Sequence, residues 1–146
     1  MKKALLGFVV GLAIGIGIMS VYAVSSPPDL KKSSSNRIGY SYTYAITQPK
    51  PVLVLFYTDW CSACQNFLPI YKLLYEIFGN AYNFAMINCD DKYNQRFVDA
   101  FGIQFFPSLY IVDDKGKTRT FVDLEKCGTL EGLKTYLDDY LKNKSK

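Results

Sequence analysis

No histidine occurs anywhere in the chain. That absence removes the commonest general base near neutral pH and the commonest metal ligand. A Cys–His nucleophile pair, a Ser–His–Asp triad and any zinc site that uses an imidazole are therefore excluded. A phosphate-binding glycine motif is also missing, so neither a nucleotide nor a flavin is implied. Most of the chain lacks excess basic charge. Residues 51–146 hold eleven Lys/Arg against twelve Asp/Glu, whereas residues 1–50 hold six against one. The formal net charge of +4 thus belongs to the N-terminal third, and the remainder has no electrostatic drive toward a phosphate backbone. Nucleic acid is not an expected partner.

What is present is apolar mass. Hydrophobic residues make up 49% of the 146 positions, with twelve tyrosines and ten phenylalanines, enough to bury the core of one ordinary domain. The first stretch is a membrane-directed leader: Lys2 and Lys3 are followed by an uncharged run from Ala4 to Val24. At ~1.5 Å per helical residue such a run spans roughly 30 Å, the thickness of a bilayer core. An uncleaved N-terminal anchor over residues 4–24 is favoured. A signal peptide cut after Ala23 is the other reading. In either case Lys2 and Lys3 stay inside and the rest is exported. Gly7, Gly11 and Gly15 share one helical face, which suits close helix packing or simply reflects how common small residues are in leaders.

The chain divides into a leader (1–24), a Ser/Pro/Lys-rich flexible linker (25–36) and a folded domain (37–146). Tyr40, Tyr42, Tyr44 and Ile46 alternate as in a short strand, and a lead-in helix fits nearly as well. Val52 to Tyr57 and Phe84 to Asn88 are continuous apolar runs, as strands buried on both faces should be. From Cys61 the spacing turns helical through Phe67, Ile70, Tyr71, Leu74, Tyr75 and Phe78. Asp91 to Phe101, with Tyr93, Phe97, Ala100 and Phe101 on one side, predicts a helix closed by Gly102. Ser108–Val112 and Lys117–Phe121 predict a hairpin around Asp113-Asp114-Lys115-Gly116. Leu130–Leu141 predicts a last helix, and the terminal Lys-rich residues a solvated tail. The order β-α-β-α-β-β-α implies an α/β sandwich with parallel strands and helical crossovers, then an antiparallel pair.

The chemistry rests on Cys61 and Cys64. A zinc site needs four ligands, and the only other cysteines, Cys89 and Cys127, are isolated. A structural staple is a weak alternative, because so short a loop constrains the unfolded chain little. A redox pair fits the layout. A buried strand delivers the cysteines to a helix N-terminus, where free N–H groups and the helix dipole favour an anion. The thiolate is the nucleophile, and a second thiol one turn later can close the disulfide and expel a bound partner. Cys61 is the expected nucleophile, exposed, and Cys64 the expected resolving thiol, buried.

From about Pro51 to Leu141 the chain resembles the thioredoxin-fold proteins. The resemblance is carried by "VLVLFYTDWC", the Trp60-Cys61-Ser62-Ala63-Cys64 signature, Pro69 five residues after Cys64, and "FGIQFFPS" before the third strand. It implies a three-layer α/β/α sandwich with a central mixed sheet, here preceded by an N-terminal hydrophobic helix. It also implies that Pro107 is cis and faces the cysteines, with Phe106 offering backbone groups to an extended substrate strand. Trp60, Phe106 and Pro107 are the expected substrate-binding residues, with Trp60 packed on the redox helix. Three departures from the family pattern stand out. Ser62-Ala63 replaces the typical Gly-Pro between the cysteines, and Leu55 and Met86 occupy the positions of a buried Asp and its Lys. Phe105 and Phe106 enlarge the substrate-facing loop, unless one of them is core. Cys89 and Cys127 could be joined, free, or an electron relay.

These expectations add up to a thiol–disulfide oxidoreductase acting outside the cytoplasm on protein cysteines, more as reductase than oxidase. No cofactor or metal is implied. Its electrons would come from a membrane-embedded or soluble redox partner. A narrower form is a dedicated reductant for exported cytochrome or metallochaperone cysteines. The competing class is a binding module that holds exported polypeptides without turnover.

Overall fold

Residues 38–145 are described by a computed structural model. The leader, its cleavage or anchoring, and the linker lie outside them. The strand β1 (Val52–Tyr57) is the organising element, because its residues alternate between two apolar layers. Leu53 and Leu55 face one cluster, and Val52, Val54 and Phe56 face the other. Layers on both faces of the sheet cover such a strand, which therefore reads as a continuous apolar run. β1 lies inside the sheet, in the order β2-β1-β3-β4, with β2 Asn83–Asn88, β3 Ser108–Asp113 and β4 Thr118–Val122.

The first layer is built by α2 (Ser62–Phe78) and α5 (Leu130–Lys144). Their apolar stripes, Phe67, Tyr71, Leu74 and Phe78 on α2 and Leu133 and Leu137 on α5, close over Leu53, Leu55, Phe84, Leu109 and Ile111. The opposite layer is built by α1 (Tyr42–Ala45) and α3 (Gln95–Phe101), which bring Tyr42, Ala45, Phe97 and Phe101 onto Val54, Phe56 and Ala85. The result is the expected α/β/α sandwich. Tyr71 is tied into the first layer by its hydroxyl, which lies 2.8 Å from the carbonyls of Leu53 and Ala85 on adjacent strands. Complete burial raises its pKa well above the ordinary tyrosine value, an Ala85 hydrogen bond acting weakly the other way.

Several local expectations change. β2 is parallel to β1, but β3 is antiparallel to it, so among the described residues only one strand pair is parallel. Residues 42–45 form a helical turn, not a strand; Tyr42 and Ala45, three apart, are buried together, a spacing that suits a helix. Tyr40 meanwhile makes a single parallel bridge to Ala85. Gly39, at φ +87°, permits this approach, since a Cβ there would collide with the Phe84 backbone. Tyr93, expected on the inner face, lies in a separate 3₁₀ turn (Lys92–Asn94) and is exposed, as is Ala100. Gly102 ends α3 in the left-handed conformation, φ +62°. A short helix, α4 (Leu124–Cys127), precedes α5. α5 itself continues to Lys144 in place of a loose tail, with Lys144 Nζ donating to Asp113 Oδ1 at 2.7 Å.

Candidate active site

The C-terminal end of β1 feeds the turn Thr58-Asp59-Trp60 and then α2, for which Cys61 is the N-cap residue. Cys61 keeps an extended backbone (φ −79°, ψ 108°), and its Sγ accepts the Cys64 N–H at 3.1 Å. The sulfur therefore sits where the unpaired first-turn amides converge, a position that stabilises a thiolate. Cys61 and Cys64 are joined as a disulfide, with Cα atoms 5.3 Å apart. Both are buried, at 8% and 3% exposure. The predicted exposure of Cys61 is thus corrected: capping turns its sulfur onto the helix end, away from solvent. The predicted order, Cys61 the more open, remains.

Trp60, expected to pack on the redox helix, also reaches the segment after β2 and the cis-proline loop. It is 70% exposed, and its Nε1–H donates to Asp90 Oδ1 at 3.1 Å. Its ring stands edge-on to Phe106. The bond between Phe106 and Pro107 is cis. Because Trp60 adjoins Cys61 and Phe106 adjoins Pro107, the ring contact sets the two predicted site segments side by side. Neither Phe105 nor Phe106 is core. Phe105 is 57% exposed and edge-on to Phe121, while Phe106 is half-buried. Ser108 Oγ donates to the Phe105 carbonyl at 2.7 Å and pins the loop. Phe105, Phe106 and Pro107 line a groove of about 450 Å³ together with Phe121, Leu124 and the acidic Asp123 and Glu125.

A polar network missed from the sequence braces the turn. Asn88 Nδ2 donates to Asp59 Oδ2 at 2.8 Å, Asp90 N–H donates to Asn88 Oδ1, and Gln65 Nε2 donates to the Asp59 carbonyl. Asn88 ends β2 and Asp90 lies two residues beyond it. Their only sequence signal is polar residues where a buried strand ends, in a strand that runs parallel to the one leading to the cysteines.

Leu55 and Met86 sit opposite each other in the β1–β2 register, both buried. Met86 and Cys64 share a cavity of about 200 Å³ whose one carboxylate is that of Asp59. Cys89 and Cys127 are free thiols. Cys89 donates to the Ile87 carbonyl and Cys127 to that of Asp123. Burial, with Asp90 adding to it and a Tyr57 backbone hydrogen bond opposing, pushes the Cys89 thiol up to about 11. Burial and then Asp123 raise that of Cys127. Among the described residues no group of three or more His, Cys, Asp or Glu is placed to hold a metal ion, and no helix is long and apolar enough to cross a membrane.

The comparisons with known proteins agree with this geometry. The chain is 30% identical over 112 residues to the chloroplastic thioredoxin-like protein HCF164 of Oryza sativa, covering 73% of this chain and 42% of that protein. It is 35% identical over 72 residues to a thiol:disulfide interchange protein TxlA homolog of Synechocystis, covering 49% and 40%. The J-Trx1 fragment of ERdj5 superimposes with a TM-score of 0.58 at 19% identity, covering 67% of this chain and 46% of that one. The chain spans less than half the length of these curated relatives. The thioredoxin family model matches residues 35–139, and with that match over most of its length the chain belongs to the thioredoxin family.

Proposed function

We propose that the chain is a protein thiol–disulfide oxidoreductase, with Cys61 as nucleophile and Cys64 as resolving thiol. The observation that carries the proposal is the position of Cys61 Sγ at the N-terminus of α2, bonded to Cys64 Sγ and facing first-turn amides. As reductase, the Cys61 thiolate attacks a substrate disulfide, and Cys64 then displaces the substrate thiol. Substrate segments run past Trp60, Phe106 and Pro107, where aromatic surface is left open beside the pair. The substrates are proteins bearing cysteines or disulfides. The working side is extracytoplasmic, with residues 4–24 as membrane anchor or cleaved leader. Reducing equivalents come from a membrane or soluble redox partner.

The exposed aromatics and the 450 Å³ groove also suit a second reading, a binding module without turnover. A redox titration in dithiothreitol or glutathione buffers, with free thiols alkylated and weighed, separates the two. A two-thiol transition at Cys61 and Cys64 near about −270 mV supports a reductant, and one near about −120 mV a disulfide donor. No transition across that range, together with undiminished peptide binding in a Cys61→Ser, Cys64→Ser variant, would leave only the binding module.

A further inference from the structure

Thr58 is the residue at which β1 gives way to the active-site turn. It is 2% exposed, and its Oγ1 is buried with no hydrogen-bond partner among the described residues. Buried hydroxyls are nearly always paired, by protein or by ordered water. A purely structural threonine here would reach a strand carbonyl or cap α2, and this one does neither. Thr58 lines the cavity of about 200 Å³ beside Cys64, whose walls include Asp59, Cys64, Gln65 and Met86. A space of that size with several polar groups on its walls accommodates ordered water.

Resolution of a mixed disulfide needs an acceptor for the Cys64 proton. The titratable groups on the cavity wall are Tyr57, Asp59 and Cys64 itself. Gln65 is not a base, and Leu68 and Met86 are apolar. Asp59 is engaged by Asn88, which fixes the carboxylate. We propose that Thr58 is a positioning residue for the resolving step: its hydroxyl holds a water against Cys64 Sγ, and that water carries the thiol proton away.

The inference rests on the thiol–disulfide activity proposed above. In the mixed disulfide, Cys61 Sγ is bonded to a substrate sulfur and Cys64 is a thiol. The held water takes the Cys64 proton and passes it toward Asp59. The Cys64 thiolate attacks Cys61 Sγ, the Cys61–substrate S–S bond breaks and the Cys61–Cys64 bond forms. The substrate sulfur leaves as a thiolate and is protonated from solvent. The protein dithiol has lost two electrons, and the substrate disulfide has gained them.

The test is stopped-flow reaction of the reduced full chain, in a Cys89→Ser, Cys127→Ser background, with an aromatic disulfide that releases coloured thionitrobenzoate. Attachment at Cys61 gives a first phase, and displacement by Cys64 a second. Thr58→Val is expected to leave the first phase unchanged. It should slow the second about tenfold and move its pH midpoint upward, less than the roughly 10²–10⁴-fold of a full general base because bulk water still reaches the site. Thr58→Ser should restore both rate and profile. The thermal midpoint of Thr58→Val should stay near that of the parent, since among the described residues the hydroxyl has no protein hydrogen-bond partner to lose; should that variant not fold, Thr58→Ala makes the same comparison. A second phase unchanged in rate and pH midpoint, or a Ser variant as slow as the Val one, overturns the assignment and leaves the oxidoreductase reading intact. Absence of the first phase in the parent overturns both.

Discussion

Trp60 stands edge-on to Phe106, ring centroids 6.1 Å apart and planes at 87°. The residue before the first cysteine is thereby set against the residue before the cis proline. The Trp60 indole N–H, bound to Asp90, adds the end of β2 to the same corner. Loops from three strands meet at one side chain, the single tryptophan of the chain.

Trp60→Ala tests what that corner does. An edge-to-face pair contributes about 0.5–1.5 kcal/mol, and at 70% exposure the indole adds little further burial. The unfolding free energy should therefore fall by about 1 kcal/mol or less. The effect on substrate should be larger, a KM for a peptide disulfide raised about fivefold with kcat nearly unchanged, as expected for uniform binding. Equal losses in kcat and kcat/KM would place Trp60 in the chemical step instead.

The hydroxyl of Tyr71 meets carbonyls of the paired strands β1 and β2 from the inner face of α2. Tyr71→Phe keeps the ring and leaves those carbonyls without that partner. A stability loss of about 1–2 kcal/mol is expected from the missing bond and its desolvated acceptors. Urea denaturation at pH 7 measures it, and an unchanged midpoint would show that the hydroxyl is incidental to the packing of α2.

Much of this arrangement was legible in the sequence, and what was not has physical reasons. The runs at 52–57 and 84–88 have no polar face, so their burial follows. The three-and-four spacing from Phe67 to Phe78 set the length of α2. Strand direction carries no such signature: β3 has the same alternation whichever way it pairs, and it pairs antiparallel to β1. α4 spans a single turn and was too short for periodicity, although Asp123, whose side chain accepts the Glu125 N–H, marks its start. At the site, the spacing of Cys61 and Cys64 announced chemistry. Nothing about Asn88, Asp90 or Thr58 did, because their importance lies in what the sheet places beside them. The burial of Cys61 is illegible for a related reason: burial of a capping sulfur depends on where the helix end points, which sequence spacing does not specify.

Cys89 supplies a pH test. Its folded pKa, about 11, lies above the ordinary thiol value of 9.0 because of burial. Raised in the folded state, it contributes stability that is fully present below pH 9 and is lost as pH climbs from 9 toward 11. Two consequences are measurable. At pH 8 the Cys89 thiol should alkylate about a hundredfold more slowly than an unshifted thiol, in proportion to its thiolate fraction. Between pH 8 and 10.5 the parent should lose more stability than Cys89→Ser, the comparison cancelling the tyrosines that titrate in the same window. Equal losses would mean that the thiolate is accommodated without opening the fold.

Leu55 is fully buried across the register from Met86, which shares the Cys64 cavity. Leu55→Asp places a carboxylate next to that space at a cost of roughly 3–5 kcal/mol, the penalty of an uncompensated buried charge. Desolvation would raise the pKa of the new acid, so the charge penalty, which adds to the lost burial of the leucine, should be small near pH 4 and grow as pH rises toward the shifted value. The same raised pKa makes it a competent base near neutrality, and displacement by Cys64 should quicken severalfold above that value. Leu55→Asn supplies the control, polar and of equal size but unable to take a proton. If Asp and Asn variants resolve the mixed disulfide at the same rate, the gain comes from hydrating the cavity. If only Asp is faster, the resolving thiol of this chain is limited by the lack of a nearby base, and Thr58 with its water is the substitute that the native sequence provides.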